Sequence, residues 1–153
     1  MPEADAVASA FAAAASAWPD VPLAREVFAE AVRGLGAQEL EKRRAPDLYL
    51  ALACAQAEPA ALAVFDRDLV GVIERAVTAA GATPAETAAL VQIVRVRLLV
   101  AQQPAAAPAI AGFSGRSSLA SWVKVVATRE AARLLAHDRR EEPRDDLAIA
   151  DHA

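Results

Sequence analysis

Apolar residues recur at three- and four-residue intervals along most of this chain, the spacing that gathers them on one face of a helix. Leu23, Val27, Phe28, Ala31 and Leu35 share one such face. Pro22 suits a first helical position and Gly36 suits an end. A charged stretch follows, Gln38–Arg44, and Pro46 resets the chain. Asp47 can cap a helix over Leu48–Gln56 that turns Leu48, Leu52 and Tyr49 inward. Pro59 opens the next helix, where Leu62, Phe65, Leu69, Val72, Ile73 and Val77 keep helical spacing to a stop near Gly81. Ahead of all these, Met1–Trp18 is rich in alanine and poor in charge. It suits a frayed helix or a disordered arm, broken by Pro19 and Pro22.

The strongest local signal is Thr83-Pro84-Ala85-Glu86, a capping box with proline at the first helical position. The helix it starts points Leu90, Val91, Val94, Leu98 and Leu99 inward and Gln92, Arg95 and Arg97 outward. A loop with two prolines spans Gln102–Ala111, and Phe113-Ser114-Gly115-Arg116 reads as a turn. Ser117 or Ser118 caps the last helix, which runs to about Arg140 before Pro143 ends it. No segment alternates as a strand does, and no fixed-period repeat is present. The pattern predicts an all-α, compact multi-helix bundle.

Composition sharpens this picture in three places. Hydrophobic residues make up 56% of the 153, but many are alanines, so the core rests on Leu, Val, Ile, Phe and the tryptophans. The net charge of −4 hides an uneven layout. Arg116, Lys124, Arg129, Arg133, Arg139 and Arg140 outweigh Glu130 and Asp138 by about +4, and the stretch from Glu141 reverses this to about −4. Cys54 is the only cysteine and reads as a small buried apolar residue, with no internal disulfide and no thiolate metal site. Glu3 and Asp5 stand where a signal peptide would be basic, and no apolar run is long enough to span a bilayer. The cytoplasm is the default location. No phosphate-cradling glycine loop, histidine–glutamate metal motif or base–nucleophile pair is evident. The sequence therefore predicts neither an enzyme nor a bound cofactor or metal.

The basic helix has its own geometry. At about 100° per residue, Arg129 and Arg133 fall within about 20° of Trp122 on either side, and Arg140 returns to the same line. Leu119, Val123, Ala127 and Leu134 form a neighbouring apolar arc, and Lys124 points away from both. Guanidinium groups neutralise phosphates and an indole stacks on an unpaired base, so this line fits a nucleic-acid strand. Trp122 also borders the apolar arc, where it fits the core equally well, and Glu130 lies close to that arc.

The segment Phe113-Ser-Gly-Arg-Ser-Ser-Leu-Ala-Ser-Trp122-Val-Lys-Val-Val-Ala127 resembles a stretch of the extracytoplasmic-function sigma factors of bacterial RNA polymerase. In that family it reads phenylalanine, x, glycine, x, serine, serine, then tryptophan leading into a basic helix. Pro84-Ala-Glu-Thr-Ala-Ala-Leu-Val-Gln-Ile-Val94 is similar to the family's preceding helix, and Pro59-Ala-Ala-Leu-Ala-Val-Phe65 to the opening helix of the same domain. The likeness covers about Asp47 to Arg140, the family's region two.

That resemblance implies two surfaces. One helix would dock on the clamp helices of the polymerase largest subunit, through Leu90, Val91, Gln92 and Arg95. The other would hold the single-stranded promoter −10 element, with Arg116, Trp122, Lys124, Arg129, Arg133 and Arg140 as the DNA-binding residues. An anti-sigma factor is a further partner the family allows; a membrane is not. The chain departs from the family at Ala89 and Ile93, which replace acidic residues, at Arg95, which replaces phenylalanine, and at Arg129, which replaces asparagine. The family's second, helix-turn-helix domain has no counterpart here, as in a fragment or a single-domain derivative. The resulting division is a helical, partly flexible N-terminal extension over 1–46, a region-two-like domain over 47–140 and an acidic flexible tail over 141–153. Two rivals stand beside a promoter-binding domain: a diverged helical interaction or regulatory module, and a helical scaffold with no nucleic-acid role.

Overall fold

The computed structural model describes the backbone of residues 2–152 and the side chains of residues 3–140. The order is α1 (Pro2–Ala17), α2 (Arg25–Ala31), α3 (Ala37–Glu41), α4 (Ala45–Ala55), α5 (Pro59–Asp68), α6 (Val70–Ala79), α7 (Pro84–Leu99), a 3-10 turn (Ala109–Gly112) and α8 (Leu119–His152). Among the described residues there is no strand.

α4 is the hub. Every residue from Leu48 to Cys54 is buried, as expected of a helix that is apolar all round and covered on all sides. α1 lies across α4 and α3. Phe11 meets Phe28 edge-on at 5.6 Å and Tyr49 at 5.7 Å, and the fully buried Ala14 lets the backbones approach. The alanine-rich start is thus a packed helix. Two polar handles tie the segment after it to α4: Trp18 Nε1 donates to the Pro46 carbonyl at 2.9 Å and the Tyr49 hydroxyl to the Val21 carbonyl at 2.5 Å. One cluster of buried side chains runs from Ala14 to Leu135, so packing shows no seam at 46/47.

Several boundaries differ from the sequence reading. α2 starts at Arg25, after Pro22, and the chain reverses at Gly34, with φ +84, rather than at Gly36. Gly36 instead precedes α3, which forms within the charged stretch. The helix expected from Pro59 to Gly81 breaks at Leu69 (φ −117, ψ −19) into α5 and α6. Val70 and Gly71 are weak helix formers, and the bend lets α5 lie on α4 while α6 turns onto α7 and α8. α8 continues through Pro143 to His152. Proline removes one donor from a helix without ending it when good helix formers flank it. Side chains of the acidic tail, 141–153, lie outside the described residues.

The capping box forms as expected, with the Thr83 N–H donating to Glu86 Oε1 at 2.8 Å. Cys54 is buried and its thiol points to the Ala61 carbonyl at 3.5 Å. Burial, reinforced by Asp66 and opposed by Arg95, pushes its pKa up to about 12. It stays a protonated apolar side chain.

Candidate nucleic-acid interface

α8 is placed by three devices at its start. Ser118 Oγ accepts from the Ser121 N–H at 3.1 Å, which makes Ser118 the N-cap side chain. Asp47, expected to cap its own helix, lies in the first turn of α4 and its carboxylate accepts the Leu119 N–H at 2.8 Å. It therefore satisfies an orphan donor of α8 and locks α8 to α4. Gly115 has φ +84 and is buried, and a Cβ there would meet Arg43, the Arg44 backbone and Leu48 at 3.5–3.6 Å. Its carbonyl accepts the Arg44 N–H at 2.7 Å, and Arg43 donates to the Ser114 carbonyl at 3.0 Å. Those distances are ordinary van der Waals contact, so it is the positive φ that favours glycine here.

Leu119, Val123, Ala127, Ala131 and Leu135 form the buried stripe of α8, packed chiefly on α6. Trp122 lies at the edge of this stripe, half-buried. Its ring meets buried Phe113 edge-on, with centroids 5.9 Å apart and planes at 69°. The core and surface readings of Trp122 are thus both partly met: it packs on Phe113 and the core, and it keeps part of its surface exposed. Arg129 is exposed on the same side and enters no ion pair among the described residues. Arg133 shares Glu130 with Arg97 of α7, at 2.7 and 3.3 Å. Glu130, close to the apolar arc, therefore stitches α7 to α8. Val125, 48% exposed, lies one helical turn on from Trp122 and one before Arg129.

The remaining candidates disperse. Arg116 is exposed in the turn before α8 and Lys124 is exposed on the far side of the helix. The Arg140 guanidinium folds back on the Ala136 carbonyl at 3.3 Å. Arg139, outside the predicted line, donates to the Gly81 carbonyl at 2.9 Å and clasps the α6–α7 turn.

On α7, two of the polymerase-docking candidates belong to the core. Leu90 and Val91 are buried, because the inward face of α7 must cover α6 and the 3-10 turn. Gln92 is exposed, and Arg95 is held by Asp66 of α5 through two bonds at 2.6 and 3.0 Å. The open face of α7 is instead an uncharged row, Ala89, Ile93 (41% exposed) and Val96 (43%), followed just past the helix by Val100 (51%). Ala89, Ile93 and Val96 are spaced i, i+4, i+7, so helical periodicity alone could have marked them as a second stripe, which the extended C-cap residue Val100 follows. No group of metal-ligating side chains occurs among the described residues.

Compared with known protein families, curated proteins and solved structures, the chain matches none.

Proposed function

We propose that this protein is a sigma-factor-like transcription initiation domain that binds RNA polymerase core and the single-stranded −10 element of promoters. The observation that carries the reading is the Trp122 edge of α8. A half-exposed indole, buttressed by Phe113, stands beside an arginine, Arg129, that no carboxylate among the described residues neutralises. An aromatic face next to uncompensated positive charge is the arrangement that accepts an unpaired base and its phosphate. The resemblance over Asp47–Arg140 points to the same helix. On this reading Trp122 stacks on a base, Arg129 and Arg133 contact the strand's phosphates, and Gln92 with the open row of α7 meets the polymerase clamp helices. The domain binds and opens DNA without catalysing a reaction, in the cytoplasm where the polymerase works.

One observation favours a second reading, a diverged interaction module without promoter recognition. The open face of α7 carries Ala89 and Ile93 where the family is acidic, and its exposed row is apolar. Such a face suits an apolar protein partner. The two readings separate on gel filtration of the protein mixed with core polymerase at low salt. Co-elution supports the sigma-like reading, and no association supports the interaction module.

A further inference from the structure

A groove of about 420 Å³ runs between α6 and α8. On the helical wheel its α8 edge, at Lys124, lies about 160° from Trp122, so it is separate from the surface described above. Ala76, Ala79 and Ala120 line it, together with Arg75, Ser121 and Lys124. Among the described residues no carboxylate lines it. Arg33, Arg67, Arg95, Arg97 and Arg133, by contrast, each sit against an acid. Neither Arg75 nor Lys124 is in an ion pair among the described residues. Ser121 accepts from Ser118 and keeps its own hydroxyl proton to give. The groove thus offers two positive charges and a donor, whose mutual repulsion a bound anion would relieve.

The form of the groove narrows the occupant. Ser121 and Lys124 are about 4.5 Å apart along α8, and Arg75 faces them from α6, so the donors form a short track rather than a single pocket. The lining alanines let a backbone come close, and the paired positive charges favour a repeating anion over an apolar anchor. We propose that the α6–α8 groove seats the phosphodiester backbone of duplex DNA, with Arg75 and Lys124 each neutralising one phosphate. This rests on the reading of α8 as a DNA-binding helix. It gives α8 two DNA edges, one for an unpaired strand at Trp122 and one for paired DNA at Lys124.

The test is fluorescence anisotropy of the full chain with a labelled single strand and a labelled duplex, from about 50 to 200 mM salt. The variants are R75A/K124A and W122A, each checked by circular dichroism. R75A/K124A should weaken duplex binding on the order of tenfold and lower its salt slope by about 1.8, while single-strand affinity stays within about twofold. W122A should do the reverse. Unchanged duplex affinity and slope in R75A/K124A, equal losses on both DNA forms, or no duplex binding by the unaltered protein would overturn the proposal. Binding of poly-glutamate through Arg75 and Lys124 in place of duplex would also overturn it, and would assign the groove to an acidic protein. Absence of single-strand binding alone would sink the Trp122 reading and leave the groove standing.

Discussion

α7 and α8 contribute to the same core but meet solvent with opposite chemistry. The arginines of α7 are neutralised, Arg95 by Asp66 and Arg97 by Glu130, and its open row from Ala89 to Val96 is uncharged. α8 presents Lys124 and Arg129 with no ion pair among the described residues, and a half-exposed tryptophan, Trp122, just before them in sequence. An apolar, charge-free row suits a protein surface. Positive charge beside an indole suits a polyanion with bases. The two helices therefore present different surface chemistry, although Glu130 joins them through Arg97 and Arg133.

The largest expected effect breaks the α8 side of this contrast. Phe113→Ala removes a buried ring and should cost about 3–5 kcal/mol of stability in urea unfolding. It should also weaken binding of single-stranded DNA per folded molecule, because Trp122 loses its buttress. A stability loss with unchanged DNA affinity would mean that Trp122 needs no fixed orientation. Asp47→Ala comes next. It leaves the Leu119 N–H without its acceptor and should cost about 0.5–2 kcal/mol, again by urea unfolding. The same change in a helix capped only by Ser118 would cost nothing.

Smaller effects sharpen the α7 side. Ile93→Asp restores an acid on an exposed position and should change stability by no more than about 0.5 kcal/mol. Under the sigma-like reading it should raise affinity for core polymerase in a pull-down and leave DNA affinity unaltered. The smallest effect is the pH dependence of the α7 cap. Glu86 is held below its ordinary value of 4.5 by the Thr83 backbone N–H and then by the Thr83 hydroxyl. Its folded pKa lies below its unfolded one, so the cap contributes fully above about pH 4.5 and is lost as pH falls through the folded value. Glu86→Gln should flatten the decline of melting temperature over that acid limb. An identical decline in both proteins would assign acid sensitivity elsewhere.

Much of the fold was legible because local signals and packing agree. The Thr83 capping box, the inward faces of α4 and α7, buried Cys54 and the all-helical class follow from periodicity and capping residues. The misses are tertiary. Val70 and Gly71 weaken the helix after Leu69 only slightly, and the bend there is decided by packing on different neighbours. Asp47 carries a capping signal, but its acceptor serves an amide 72 positions away. Leu90 and Val91 belonged both to the inward face of α7 and to the residues implied for docking, and burial settles them in the core. The Trp122–Arg129 edge was visible on a wheel, whereas Arg75 opposite Lys124 depends on how α6 packs on α8 and has no sequence signal.

The central claim is that the Trp122 edge of α8 holds an unpaired DNA strand. Its most direct test is anisotropy of a labelled single-stranded −10 oligonucleotide with core polymerase and either the unaltered protein or W122A. The account predicts binding that falls steeply with salt and that W122A weakens by about 1–3 kcal/mol without loss of fold. Equal affinity of the two proteins for the strand would contradict it.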